Sequence, residues 1–365
     1  MSVNSIIILI MAIFAVIAAL DKCFKNRFGL GDKFDQGLMA LGPLALAMIG
    51  MISIAPILAK LLEHVLVPIY GFFGADPSMF AGTILANDMG GYSLAMSLAQ
   101  NQAVGLFSGL IVASMLGAVL VFTIPVALGI ISSKDHKFLA LGILSGIITI
   151  PIGAFVGGLI AGLNPLLILI NLIPIIIISL IIAFALWKIP SKALTFFIWF
   201  GRAIIILITL SLAIIIFQTL TGIIIINGMT PIWDGFKIIG GIAIILVGAF
   251  PFIHLLSKVL KKPFIILGKK LGMGLKGITG MTFTIVNVIP MFDTIKDMTN
   301  REKVINFAFA VSAACVLGDH LGFTAAVNKD FILPMIIGKL VAAICAILLA
   351  MYLLKRSKYY KSIVK

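Results

Sequence analysis

Residues 74–100 read GADPSMFAGTILANDMGGYSLAMSLAQ, and the fold turns on how this stretch is read. It sets Asp76, Asn87 and Asp88 among glycines and a proline, in a chain that is 62% hydrophobic and 11% charged. A helix that only crosses lipid has no use for NDMGG. A charge at bilayer depth costs about 3 kcal/mol or more and marks a pathway or a binding site. Irregular backbone at that depth persists only where protein buries it or where it lines a cavity. The stretch therefore points to something polar held inside a membrane.

The flanking sequence supplies the membrane. Soluble proteins carry about 25% charged residues, more than twice the share here. Apolar runs of about 20 residues, the length that crosses a hydrocarbon core of about 30 Å, recur from end to end. The expected fold class is all-α: one polytopic helical membrane domain over residues 1–365. Nine spans are expected at about 3–21, 38–60, 104–131, 138–162, 165–187, 194–222, 236–256, 304–326 and 332–354. Two further regions, about 63–100 and 263–300, are apolar but broken by Gly, Pro and Asp. Each is read as a re-entrant hairpin that returns to the side it left. The first span lacks a basic leader and a small-residue cleavage site, so it is read as retained.

Net charge is +14, from 27 Lys+Arg against 13 Asp+Glu. The basic residues sit in short loops without interleaved aromatics, which argues against nucleic acid and for topology. With the N-terminus outside, 22 of the 27 fall on the inner side, including the tail at 355–365. Lys60, Lys237 and Lys329 fall outside, and Arg202 and Lys339 within spans. The expected orientation puts the N-terminus outside and the C-terminus in the cytoplasm. The bilayer is the expected partner, and a homo-oligomer is admitted.

The chain also repeats. Shifted by 198, Gly37, Gly42, Ala45, Gly50 and Lys60 fall on Gly235, Gly240, Ala243, Gly248 and Lys258. Shifted by 200, Asn87, Val104, Phe107 and Ala113 fall on Asn287, Val304, Phe307 and Ala313. Residues 1–162 and 194–365 read as two repeats, and 163–193 as a connecting span. Five crossings per repeat invert the second half, an arrangement recurrent in secondary transporters.

Asp88 leads the candidate site, as a partner for a cation or as a cap on a half-helix. Asp76 before Pro77 suits an N-cap followed by proline at the first helical position. Asn87, Tyr92, Asn287, Phe292 and Asp293 complete the expected substrate-binding set. Asp319-His320, inside the expected span 304–326, pairs an acid with an imidazole and suits a proton relay or a structural contact. Cys23, Cys315 and Cys345 lack metal-ligand spacing. No GxSxG, HExxH or Walker loop is present, so no cofactor, metal or catalytic set is expected.

Several stretches carry a family resemblance: DKCFKNRFGLGDKFDQGLMALGPLALAMIGMISIAPILAK at 21–60, GADPSMFAGTILANDMGGYSLA at 74–95, FTIPVALGII at 122–131 and LGILSGIITIPIGAFVGG at 141–158, with NLIPI, GMTPIWDGF and LGDHLGFTAA beyond. Together they resemble the ethanolamine-utilisation permease family, EutH. The resemblance implies a bacterial inner-membrane protein that takes up ethanolamine for breakdown to acetaldehyde and ammonia. It carries no residue-level site assignment. Ethanolamine at neutral pH is a small ammonium with a hydroxyl, which suits a carboxylate, an amide and an aromatic face. The rival readings are a passive amine or ammonium channel of other substrate range, and a membrane enzyme acting on lipid headgroups. The second would need acids, histidines or metal ligands clustered at one interface, whereas the acids here are scattered.

Overall fold

The computed structural model describes residues 3–270 and 272–356. The residues of the expected cytoplasmic tail beyond Arg356 lie outside them. Sixteen α-helices follow in order among the described residues. The first seven are α1 (Val3–Cys23), α2 (Leu30–Met39), α3 (Leu41–Phe72), α4 (Ser78–Ile84), α5 (Gly91–Leu98), α6 (Gln102–Leu106) and α7 (Ile124–Ile130). The long spans α8 (His136–Ile160), α9 (Pro165–Lys188), α10 (Pro190–Thr221) and α11 (Ile232–Lys270) follow. The last five are α12 (Leu275–Val286), α13 (Ile289–Thr294), α14 (Asn300–Ala313), α15 (Asp319–Val327) and α16 (Ile332–Arg356). Among the described residues, eight helical stretches are long and apolar enough to cross a membrane, so the chain is an all-α polytopic membrane protein.

The span expected over 304–326 is not one helix. It is α14 and α15, joined by a run of turns at Ala314–Gly318. Cys315 there has φ +56, and the link pairs with the end of α12: Cys315 N donates to Thr284 O at 2.9 Å and Leu317 N to Ile285 O at 2.9 Å. A Cβ on Gly318 would lie 2.0 Å from Val286 O. The break is made by tertiary hydrogen bonding, so hydropathy reads through it. The expected hairpins also start later than read. Helix α3 continues to Phe72 through Pro56 and Pro68, as transmembrane helices tolerate proline, and α11 continues to Lys270.

Each hairpin is tied at its base by one carboxylate. Asp76 accepts from Ser78 N (2.8 Å) at the start of the first hairpin and from Gln100 N (3.0 Å) and Asn101 N (2.7 Å) at its end. Glu302 accepts from Gly274 N before the second hairpin, and from Thr299 N (2.8 Å) and Thr299 Oγ1 (2.9 Å) after it. Thr299 and Glu302 also form the capping box that starts α14. In both cases the two ends of the segment meet, so the chain leaves and returns at one level.

Between α6 and α7 the helix is wound as π-helix over Phe107–Gly117 and Val119–Thr123. Such wide turns are rare and gather at functional sites. This stretch is the buried centre of the first half, and α8 and α16 form the densest helix pair beside it. Gly153 and Gly338 let those two helices touch: a Cβ on either would come within 2.2 or 2.9 Å of the other's carbonyl oxygen. Outer faces of α1, α9 and α10 expose Val16, Ile181 and Leu210, the apolar surface that lipid covers.

Four glycines bring α2, α3 and α11 close to the helices they pack on. A Cβ on Gly50 of α3 would lie 2.0 Å from Ile208 O of α10, and one on Gly248 of α11 would lie 2.0 Å from Met11 O of α1. Gly37 approaches the Val247 backbone, and Gly235 approaches Ile49.

Candidate functional site

The site is built where the first hairpin's tip meets α15 and α16. Leu85 and Ala86 are extended, Asn87–Met89 make one 3₁₀ turn, and Gly90 reverses the chain at φ +90. A Cβ on Gly90 would lie 1.8 Å from Met51 Cγ, so both backbone and space require glycine. Gly117 lies against the tip from the π-helical stretch, its would-be Cβ 1.9 Å from Leu85 O. These two glycines seat NDMGG against the protein interior.

Asp88 keeps 18% of its side chain exposed. Its Oδ1 lies 4.0 Å from Nε2 of His320, a nearly buried side chain on the first turn of α15. The other ring nitrogen, Nδ1, is 2.8 Å from Nζ of Lys339 on α16. Lys339 is fully buried and also donates to Ser114 O in the π-helical stretch. Since Lys339 carries only donors when charged, Nδ1 is then the acceptor and the imidazole proton sits on Nε2, facing Asp88. Four segments remote in sequence thus converge on one chain: Asp88, His320, Lys339 and the Ser114 carbonyl.

Beside Asp88, Asn87 is fully buried, and neither its Oδ1 nor its Nδ2 has a hydrogen-bond partner. Buried carboxamides are nearly always satisfied, so this one holds two unused bonds. Ser53 Oγ and Thr324 Oγ1, on helices that pack against the tip, are likewise buried and unpaired. Tyr92 of α5 meets Phe323 of α15 edge to face, with ring centroids 5.6 Å apart.

Asp319 faces the other way. It lines an open cavity of about 600 Å³ together with Asn287, Pro290 and Val286 from the second hairpin and Lys33, Gln36, His254 and Lys258. Asn287 Oδ1 accepts from Ile289 N at 2.9 Å and so starts α13. Asp319 immediately precedes His320, so the cavity and the buried chain meet at the start of α15.

The structure therefore brings Asp88, Asn87 and His320 together, sets Tyr92 on the neighbouring helix, and groups Asp319 with Asn287. It does not bring in the remaining pair. Phe292 is buried against Phe307, centroids 6.3 Å apart, and Asp293 is exposed; neither lines the cavity. Sequence reasoning left Lys339 without a role. Its signal was present, a lone lysine in ILPMIIGKLVAAICAILLAMY with the nearest charges at Asp330 and Lys355. Among the described residues no cluster suited to a metal ion occurs.

A family model described as "Ethanolamine utilisation protein, EutH" matches residues 3–353. A protein of Listeria monocytogenes named "Probable ethanolamine permease EutH" is 52% identical, over 98% of this chain and 95% of its own length. The "Probable ethanolamine permease EutH" of Escherichia coli K12 is 44% identical, over 98% and 97%. "Uncharacterized protein YxeR" of Bacillus subtilis is 46% identical, over 95% and 94%. No solved structure matches significantly. With a match this long and relatives this similar over their full lengths, the chain belongs to the EutH family of ethanolamine utilisation proteins.

Proposed function

We propose that the protein is a permease for ethanolamine in its ammonium form, and that it performs no chemistry on its cargo. The observation that carries this reading is Asp88 beside an unsatisfied Asn87 at the tip of a buried hairpin. The carboxylate suits the ammonium. The carboxamide, with one free donor and one free acceptor, suits the hydroxyl two carbons away. The names of the Listeria and Escherichia relatives support the same substrate. Purified protein in proteoliposomes should accumulate labelled ethanolamine faster than protein-free vesicles, and return it chemically unchanged. Equal rates in both would end the proposal, and a converted product would point to an enzyme.

Two features support alternating access. The shift of 198 that relates Gly37 to Gly235 also relates their contacts, Val247 and Ile49, and the contacts of Gly50 and Gly248, Ile208 and Met11, agree within one residue, which supports two halves packed alike. Leu85 O receives Gly117 in the first half, and Ile285 O receives Leu317 N in the second, both shifted by 200. This is what a pseudo-two-fold axis between inverted repeats produces. The positive-inside pattern places the N-terminus outside and Lys276 inside. In intact cells a membrane-impermeant thiol reagent should label Gly228→Cys and spare Lys276→Cys; labelling of the latter alone would reverse the orientation.

A further inference from the structure

We propose that the Asp88–His320–Lys339 chain makes transport an exchange, in which one proton leaves the site for each substrate cation that enters it. This rests on the reading of Asp88 as the ammonium partner. The argument starts from Lys339. It is fully buried, and among the described residues it has no carboxylate within ion-pair distance. Its contacts are a carbonyl oxygen and an imidazole nitrogen. A permanently charged structural cation in such a place would be arginine with a bidentate acid. Lysine is the cation that can give up its charge.

The groups around it are few. The hairpin tip brings Asp88, α15 brings His320 and Asp319, and the Ala314–Gly318 link brings Cys315. The π-helical stretch brings only the Ser114 carbonyl. Helix α8 carries no charged side chain after Lys137 in sequence, and α14 none after its first-turn Arg301, Glu302 and Lys303. Asp319 lines the open cavity, whose wall also carries Lys33 and Lys258. Among the described residues, Asp88 is the carboxylate that meets His320, and it serves two cations, Lys339 and an incoming ammonium. One carboxylate in a low-dielectric interior balances one positive charge; a second is left uncompensated.

His320 gives the lysine's proton a way out. Lys339 Nζ passes a proton to His320 Nδ1, and the ring releases its Nε2 proton on the Asp88 side, toward the aqueous phase that the site then faces. Nζ is left as a neutral amine and the ammonium takes Asp88. On the opposite face the sequence reverses: the ammonium leaves, a proton enters, and Lys339 is charged again. Only N–H bonds break and form. The cycle moves one cation against one proton and no net charge.

The test uses the full-length protein in proteoliposomes holding a pH-sensitive dye, with an inside-negative potential imposed by valinomycin and a potassium gradient. Wild-type uptake should alkalinise the lumen and change by less than about twofold with the potential. Lys339→Gln should still take up ethanolamine, leave lumen pH unchanged, and accelerate severalfold with the potential, because its cargo now moves charge across the membrane. If that variant fails to insert, Lys339→Met serves the same comparison. Wild-type uptake driven severalfold by potential at constant lumen pH overturns the exchange and leaves the ammonium site standing. A variant as insensitive to potential as the wild type also overturns it, since both would then pass the neutral amine. No uptake above protein-free vesicles removes the ammonium reading, and the exchange with it.

Discussion

Asp88→Asn should reduce ethanolamine uptake at limiting substrate by about ten- to over a hundred-fold in protein that still inserts into the membrane. The magnitude follows from the interaction lost. A hydrogen bond to a charged group is worth about 1.5–3 kcal/mol, and each 1.4 kcal/mol is tenfold in affinity. The substitution keeps shape, and the side chain retains 18% exposure, so the hairpin tip is kept while the charge that binding needs is lost. The nearest partner, His320 Nε2 at 4.0 Å, is too far for a hydrogen bond, which leaves the carboxylate free for cargo. Initial rates across a range of ethanolamine concentrations check this. An unchanged apparent affinity would take Asp88 out of the site.

That Asp88 could be picked from sequence, and Lys339 could not, has a physical cause. NDMGG announces itself because charge and glycine occur together in a segment too short to cross a bilayer. The reading needs no partner. Lys339 sits in an unbroken apolar span, and what gives it meaning is His320 and Ser114, 19 and 225 residues away. The break at Ala314–Gly318 was hidden for the same reason. CVLG contains no proline, and the link is held open by carbonyls of Thr284 and Ile285. Local chemistry was legible, as with Asp76 before Pro77. The sequence assigned that residue a cap; the structure adds that its second oxygen closes the hairpin from Gln100 and Asn101. Asp293 shows the limit of local reading: the sequence sets it in a broken segment, and only the fold shows it exposed on α13.

Asp135→Ala should be among the most destabilising single changes in the chain. Asp135 Oδ1 and Lys303 Nζ are 2.6 Å apart, with side chains only 9% and 10% exposed. The Lys303 ammonium also lies over the Phe138 ring, 5.5 Å from its centroid. The pair joins the turn before α8 to the start of α14, one residue from Glu302 and hence from the base of the second hairpin. Removing one partner of a buried pair leaves the other charge uncompensated and costs about 3–5 kcal/mol, whereas replacing both with apolar groups of similar size is near neutral. The expected result is a melting temperature in detergent lower by roughly 5–15 °C for Asp135→Ala, with most of the loss restored in Asp135→Leu/Lys303→Met. A further consequence separates packing from anchoring. The double variant regains stability but not the directed contact, so hairpin and scaffold are held by packing alone. If the pair fixes the hairpin's position against α8, uptake by the double variant stays well below wild type at equal stability. Full recovery of uptake would make the pair a stabilising contact without an anchoring role, and equal melting of single and double variants would show that the charge on Lys303 is not held in a dry site.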